Sequence, residues 1–296
     1  MMLSLVRAVE SIVIDKRFRG PPNSGNGGYV CGVVARHIEG SAEVTLRAPP
    51  PLDRPLDVVI GADGGVELRE KETLLATGRR AGSLDVGAIP AVTFPEAEEA
   101  TSQATLNERN HPLPMCFVCG IGRAHGDGLR IIPGPLAKRH EKPAALASSW
   151  IPHSNLAADD GLVAPEFVWS ALDCPTGFAS GAARHLGMIG GESMLLGRMS
   201  AWIDHRPRPG DRCVVLAWPT GRDGRKLFAE GAMLGPGGKL MAVTRTTWVS
   251  GDRDGRGALG HVATSLLRLQ VRTEGRPRTL ARPSLHLVFF FSSRIR

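Results

Sequence analysis

Two carboxylates seven residues apart, Glu166 and Asp173, fall in and just after an apolar run from Gly161 to Ala171. If that run is helical, seven residues is close to two turns and the two acids share a face. A carboxylate partly buried among Trp169, Leu172 and Phe178 holds its proton to higher pH, which makes it a better base near neutrality. The plain alternatives are an N-terminal helix charge for Glu166 and a C-terminal cap or turn before Pro175 for Asp173. A second group is the segment Asn23-Ser24-Gly25-Asn26-Gly27-Gly28, which runs into an apolar stretch from Tyr29 to Ile38. It reads as a helix start. Asn23, Ser24 and Asn26 are cap residues or groups that orient water, and Gly27 and Gly28 carry no side chain to block approach to the free N–H groups of the first turn. The segment lacks the Lys-Ser/Thr of a P-loop and the spacing of a dinucleotide loop, so it gives no phosphate-loop signal.

Sulfur and imidazole form a third group. His111, Cys116, Cys119 and His125 are spaced His-x4-Cys-x2-Cys-x5-His, which offers four zinc ligands. One CxxC without a second pair is a weak pattern, and buried thiols packed as small hydrophobes in a strand are the expectation, with no metal. No βαβ pattern surrounds the CxxC, which argues against a redox motif. Cys174 adjoins Asp173, but Pro175 follows and no triad order is visible, so it is not read as a nucleophile. Arg198, Arg206, Arg208, Arg225 and Lys226 are candidate phosphate contacts, with solvated hairpin charges the simpler reading.

The elements that must position these groups occur twice. The Gly-rich segment and helix at 26–38 lead to strand-like runs at 42–46 and 56–60. The helix near 163–173 leads to strand-like runs at 194–203, 213–218, 227–234 and 240–249. Turn clusters such as Asp63-Gly64-Gly65, Asp223-Gly224 and Gly237-Gly238 separate the strands. Internal duplication sets architecture. The pattern implies an α+β chain with an N-terminal repeat over 1–94, a proline-bounded acidic linker over 95–114, a fuller repeat over 115–250 and a tail over 251–296. The tail, with its Arg-Pro breaks and terminal Phe289-Phe290-Phe291, is expected to be disordered or non-native.

Composition narrows the function classes. Of the net charge of +7, the tail carries +6, from nine Arg against three acidic residues, and residues 1–250 carry only +1. The body gives no electrostatic case for a nucleic-acid partner. Five cysteines in 296 residues do not resemble a disulfide framework, and no stretch has the length and apolarity of a membrane span. A soluble, cytoplasmic protein is expected.

The ordered series Cys116-Phe117-Val118-Cys119-Gly120, Gly128-Leu129-Arg130-Ile131, Trp150, Ala171-Leu172-Asp173, Gly210-Asp211, Gly224 to Gly231, Gly237 to Ala242 and Trp248 resembles the hotdog-fold acyl-CoA thioesterase superfamily. The likeness covers about 115–250 well and 15–85 more loosely. It implies a double hotdog, with each central helix wrapped by an antiparallel sheet and the site between the two helices. It also implies that Asp173 is the base or nucleophile, that Gly27 and Gly28 form the oxyanion side, and that Glu166, Asn23 and Asn26 support them. The first repeat has Val34-Ala35-Arg36-His37 where the second has its acid, so one competent site is expected. The implied substrate is an acyl-CoA or related thioester, with water as co-substrate and no cofactor. Self-association into a homo-oligomer is open. The alternative is a non-catalytic acyl-CoA or lipid-ligand binding protein.

Overall fold

A computed structural model of the chain describes residues 8–107, 111–136, 145–180 and 194–250. The tail at 251–296 lies outside them. The strands are β1 (Ala8–Val13), β2 (Ala42–Leu46), β3 (Pro55–Ile60), β4 (Val66–Glu70), β5 (Thr73–Arg80), β6 (Gly134–Pro135), β7 (Leu146–Trp150), β8 (Met194–Ile203), β9 (Cys213–Asp223), β10 (Lys226–Leu234) and β11 (Leu240–Ser250). The helices are α1 (Gly27–Ala35), α2 (Phe94–Ser102) and α3 (Pro165–Ala179).

All eleven strands form one sheet in the order β1-β3-β4-β5-β2-β8-β11-β10-β9-β7-β6, and every neighbouring pair is antiparallel. The strands before residue 94 join those after 115 through β2 and β8, with Val44 opposite Met199. Both residues are fully buried, so the junction lies in the core.

Helices α1 and α3 lie side by side on the inner face of this sheet and share its main apolar cluster. α1 is buried from Gly28 to Ala35, and α3 from Phe167 to Ala179. They run antiparallel: Gly28 stands against Asp173, while Gly32 stands against Glu166 and Trp169. Bare backbone at Gly32 is a requirement of this crossing, because a Cβ there would lie 2.5 Å from Cα of Glu166. Four rings lock the start of α1 against α3. Phe18 stacks on Tyr29 at 4.2 Å, and Phe117 and Phe167 each sit 5.8 Å from a neighbouring ring.

The first six residues of β9, Cys213 to Trp218, are buried on both faces of the sheet. Cys213 and Val215 face the α3 cluster, whereas Val214, Leu216 and Trp218 join a second cluster with Ala97 and Ala100 of α2. The segment expected to be a linker at 95–114 therefore contains a helix that covers the outer face of the sheet. A capping box starts it: the backbone N–H of Thr93 donates to Glu96 at 2.7 Å, and Glu96 N–H donates to the Thr93 hydroxyl at 3.4 Å. The segment Cys116 to Gly120, expected as a strand, is a buried turn in which Gly120 N–H donates to the Cys116 carbonyl at 2.9 Å.

Candidate functional site

Asp173 lies in the middle of α3, because the helix runs on through Pro175 to Ala179. Pro175 removes the helical N–H donor that would reach the Ala171 carbonyl, and the helix continues past it, with the Thr176 hydroxyl donating to the Asp173 carbonyl at 2.7 Å. The Asp173 side chain crosses to the N-terminus of α1. Its Oδ2 accepts from Gly28 N–H at 3.0 Å and from Asn26 Nδ2 at 2.8 Å. Oδ1 is buried and has no hydrogen-bond partner among the described residues. With the residue 1% exposed, burial pushes the carboxyl up to about 7, against the opposing pull of the Gly28 N–H, while the neighbouring Cys116 raises it further.

Asn26 does two jobs at this end of α1. It is the N-cap, its Oδ1 accepting from Tyr29 N–H at 2.9 Å, and its amide nitrogen donates to Asp173. The cap therefore takes one of the helix's free donors and Asp173 takes another. Gly27 N–H donates no hydrogen bond among the described residues, and Gly27 itself abuts Leu46 of β2 and Leu196 of β8. Bare backbone at Gly28 lets the carboxylate approach, since a Cβ there would lie 2.4 Å from Cβ of Asp173.

The other expected residues do not converge here. Glu166 is in the first turn of α3, half-buried against Gly32. Seven residues of helix set it about 10 Å along the axis from Asp173, too far to work on the same atoms. Asn23 is exposed in the turn before α1. His125 is exposed and sits beside His153, with ring centroids 6.1 Å apart, away from the cysteines with which its spacing grouped it. The basic residues are dispersed: Arg198 faces Glu43 at 3.8 Å, Arg206 pairs with Asp160, and Arg225 donates to the Ser250 carbonyl at 2.8 Å.

Cysteine sulfurs gather instead beside the carboxylate. Cys116, Cys119 and Cys174 are buried, their Sγ atoms lie within 4.8 Å of one another, and those of Cys116 and Cys174 are 3.7 Å apart. Hydrogen bonds from the Cys119 and Cys174 thiols hold Cys116 well below the usual thiol range, helped by the backbone at Cys119 and Val118. The cost of sharing those bonds falls on Cys119 and Cys174, both pushed well above it. Sequence spacing missed this cluster because Cys174 is 58 residues from Cys116; the only signal was its position next to Asp173.

The two helix starts are unlike. α1 opens with Asn26, Gly27 and Gly28, whereas α3 opens with Ala164, which makes no side-chain cap bond, and Pro165, which has no N–H. Asp173 is the ninth residue of α3, and the ninth of α1 is Ala35. Among the described residues, one pairing of an acid with an open helix start is therefore present.

No family model matches the chain, and no curated protein matches it. Solved structures do. The tesB protein of Mycobacterium avium subs paratuberculosis is 16% identical with a TM-score of 0.54, over 84% of this chain and 96% of that one. An acyl-CoA thioesterase II, TesB2, from Mycobacterium marinum is 12% identical with a TM-score of 0.55, over 83% and 95%. A conserved protein of unknown function with a hot dog fold from Alicyclobacillus acidocaldarius is 11% identical with a TM-score of 0.55, over 82% and 92%. The chain has the α+β hotdog fold, and the likeness spans most of its length and nearly all of each neighbour. No helix among the described residues is long and apolar enough to cross a membrane.

Proposed function

We propose that the chain is a double hotdog, with repeats over 1–94 and 115–250 joined by the segment 95–114, and that it hydrolyses an acyl-CoA or related thioester at a single site. The observation that carries this reading is the Asp173 carboxyl of α3 held at the open N-terminus of α1 by Gly28 N–H and Asn26, with its second oxygen unpartnered. The fold shared with an acyl-CoA thioesterase II supports the choice of thioester.

In this chemistry Asp173 Oδ1 accepts a proton from water as the water oxygen bonds to the thioester carbonyl carbon. Negative charge then develops on the carbonyl oxygen, where the positive end of α1 and the Gly27 N–H favour it. Collapse breaks the C–S bond, and the proton held by Asp173 passes to the departing thiolate, leaving carboxylic acid and thiol. Asn26 keeps the carboxyl oriented throughout, and Glu166 and Asn23 take no part.

A second reading, a non-catalytic acyl-CoA or lipid-ligand binder, is favoured by one observation. Asp173 is 1% exposed, and neither of two surface grooves reaches it: one lies by Thr45, Arg79 and Arg198, the other by Pro165, His205 and Lys239. Thiol release from a panel of acyl-CoAs of different chain length decides between them, with Asp173→Asn as the comparison and circular dichroism as the check on folding. The hydrolase reading expects turnover by the wild-type chain and a loss of roughly 100-fold or more in the variant. Turnover equal in both would overturn the role of Asp173, and binding without turnover would establish the second reading.

A further inference from the structure

Three thiols from two distant segments meet in the interior beside Asp173, and none of them enters the hydrolysis described above. Cys116 and Cys119 come from the turn between β5 and β7, which is pinned to the first half of the chain by Phe117 N–H donating to the Arg19 carbonyl at 2.7 Å. Cys174 comes from α3. Their spacing is that of a ligand set. With zinc–sulfur bonds near 2.3 Å, two sulfurs on a tetrahedral ion stand about 3.8 Å apart. Cys116 and Cys174 are at 3.7 Å, with Cys119 in the same group.

Hydrogen-bond donors converge on the sulfurs. The turn brings the backbone of Val118 and Cys119 onto the Cys116 sulfur. Asn26 Nδ2 stands 3.9 Å from the sulfurs of both Cys116 and Cys174, so one amide serves the sulfurs and the Asp173 carboxyl together. Donors of this kind orient sulfur ligands and disperse their charge. His111 adds a second sign. It is 6% exposed, its Nδ1 accepts from Leu113 N–H at 3.0 Å, and its buried Nε2 has no partner. With Nδ1 occupied as an acceptor, the ring proton belongs on Nε2, and the ring interacts with the Cys119 backbone and the Cys116 sulfur at the edge of the cluster.

We propose that Cys116, Cys119 and Cys174 bind a zinc ion, a three-sulfur site that ties α3 to the turn carrying Cys116 and leaves one position of the tetrahedron for a further ligand. Three soft, deprotonatable sulfurs select such an ion over magnesium or calcium. Binding releases the thiol protons to solvent and consumes no oxidant or reductant. The ion is a structural tie in a core whose aromatic and helix contacts already meet at this point, and it does not depend on the thioesterase reading.

The test is made on the full chain. Elemental analysis of protein purified without chelator is expected to find about one zinc per chain. Exchange into cobalt is expected to produce a sulfur-to-cobalt charge-transfer band. Zinc should fall to background in Cys174→Ser and persist in Cys213→Ser, whose thiol is equally buried but lies outside the cluster. Because Cys174→Ser is in the core, a second readout uses the wild type alone: stripping the ion with a chelator should lower its denaturation midpoint, and added zinc should restore it. Absence of both zinc and the cobalt band from the wild type would overturn the proposal. So would zinc retained by Cys174→Ser, or a Cys116–Cys174 disulfide in place of the ion. None of these readouts involves thiol release, so failure of the hydrolase reading leaves them intact.

Discussion

A methyl group at Gly28 would stand 2.4 Å from Cβ of Asp173 and 2.9 Å from the Trp169 carbonyl oxygen, so neither the helix crossing nor the carboxyl can stay where it is in Gly28→Ala. Overpacking of this kind costs about 1–3 kcal/mol. We expect Gly28→Ala to lower the denaturation midpoint and to lose thiol release beyond what its stability explains; a variant as active as the wild type would place the reacting groups elsewhere. The same carboxyl makes stability depend on pH. Its folded-state pKa of about 7 lies above the ordinary aspartate value of 3.8, so the folded chain binds the proton more tightly than the unfolded one. Its neutral form is therefore the stabilising one. Stability is lost as pH rises from about 4 through 7 and is constant beyond. Asn at this position is neutral and keeps an oxygen for Gly28 N–H and Asn26. Asp173→Asn should then be the more stable protein at pH 8, with the difference shrinking as the pH falls toward 5. Denaturant midpoints measured across that range check it, and a wild type more stable than the variant at pH 8 would refute the burial argument.

Helix α2 is held at its start by the reciprocal bonds of Thr93 and Glu96, and it lays Ala97 and Ala100 on the outer face of β9 and β7. Loss of an N-cap hydroxyl typically costs about 1 kcal/mol. Thr93→Ala should show that loss in unfolding and none in thiol release, since α2 lies on the opposite face of the sheet from Asp173; a loss of activity larger than the loss of folded protein would contradict this separation. This helix also marks the limit of what was legible in the sequence. A nine-residue helix rich in Glu, opened by Pro95 and burying two alanines, has the composition of a linker, and in the sequence only the capping pair Thr93 and Glu96 distinguishes it. Strands that bury alternate or continuous apolar residues were legible: β2 and β8 span the runs 42–46 and 194–203 residue for residue. The end of α3 was not, because Pro175 reads as a terminator, whereas the helix packed under β9 and β10 carries it and runs on to Ala179. Asp173 and Asn26 stood out from type and position, whereas their hydrogen bond, spanning 147 residues, and the meeting of Cys174 with the CxxC turn could be known only from the fold.

One sheet runs through the whole described molecule, and one apolar cluster takes residues from both of its ends: Val34, Val44 and Leu68 pack in the same core as Leu172, Met199 and Met233. The halves are stitched twice, by the β2–β8 ladder and by the α1–α3 crossing with its buried carboxyl. A half released from the other would expose the seam strand and the helix face that the crossing covers, so neither is expected to stand alone at denaturant concentrations where the other melts. The distribution of chromophores makes this testable without mutation. All five tryptophans, Trp150, Trp169, Trp202, Trp218 and Trp248, follow residue 115, whereas backbone circular dichroism reports strands and helices throughout. Denaturant curves followed by tryptophan emission and by far-ultraviolet circular dichroism should therefore superimpose, with the same midpoint and slope. If the region before residue 94 unfolded independently, dichroism would change over a range in which emission stayed constant. Such a split would mean that the β2–β8 seam is weaker than either half, and that the site between α1 and α3 opens before the chain unfolds.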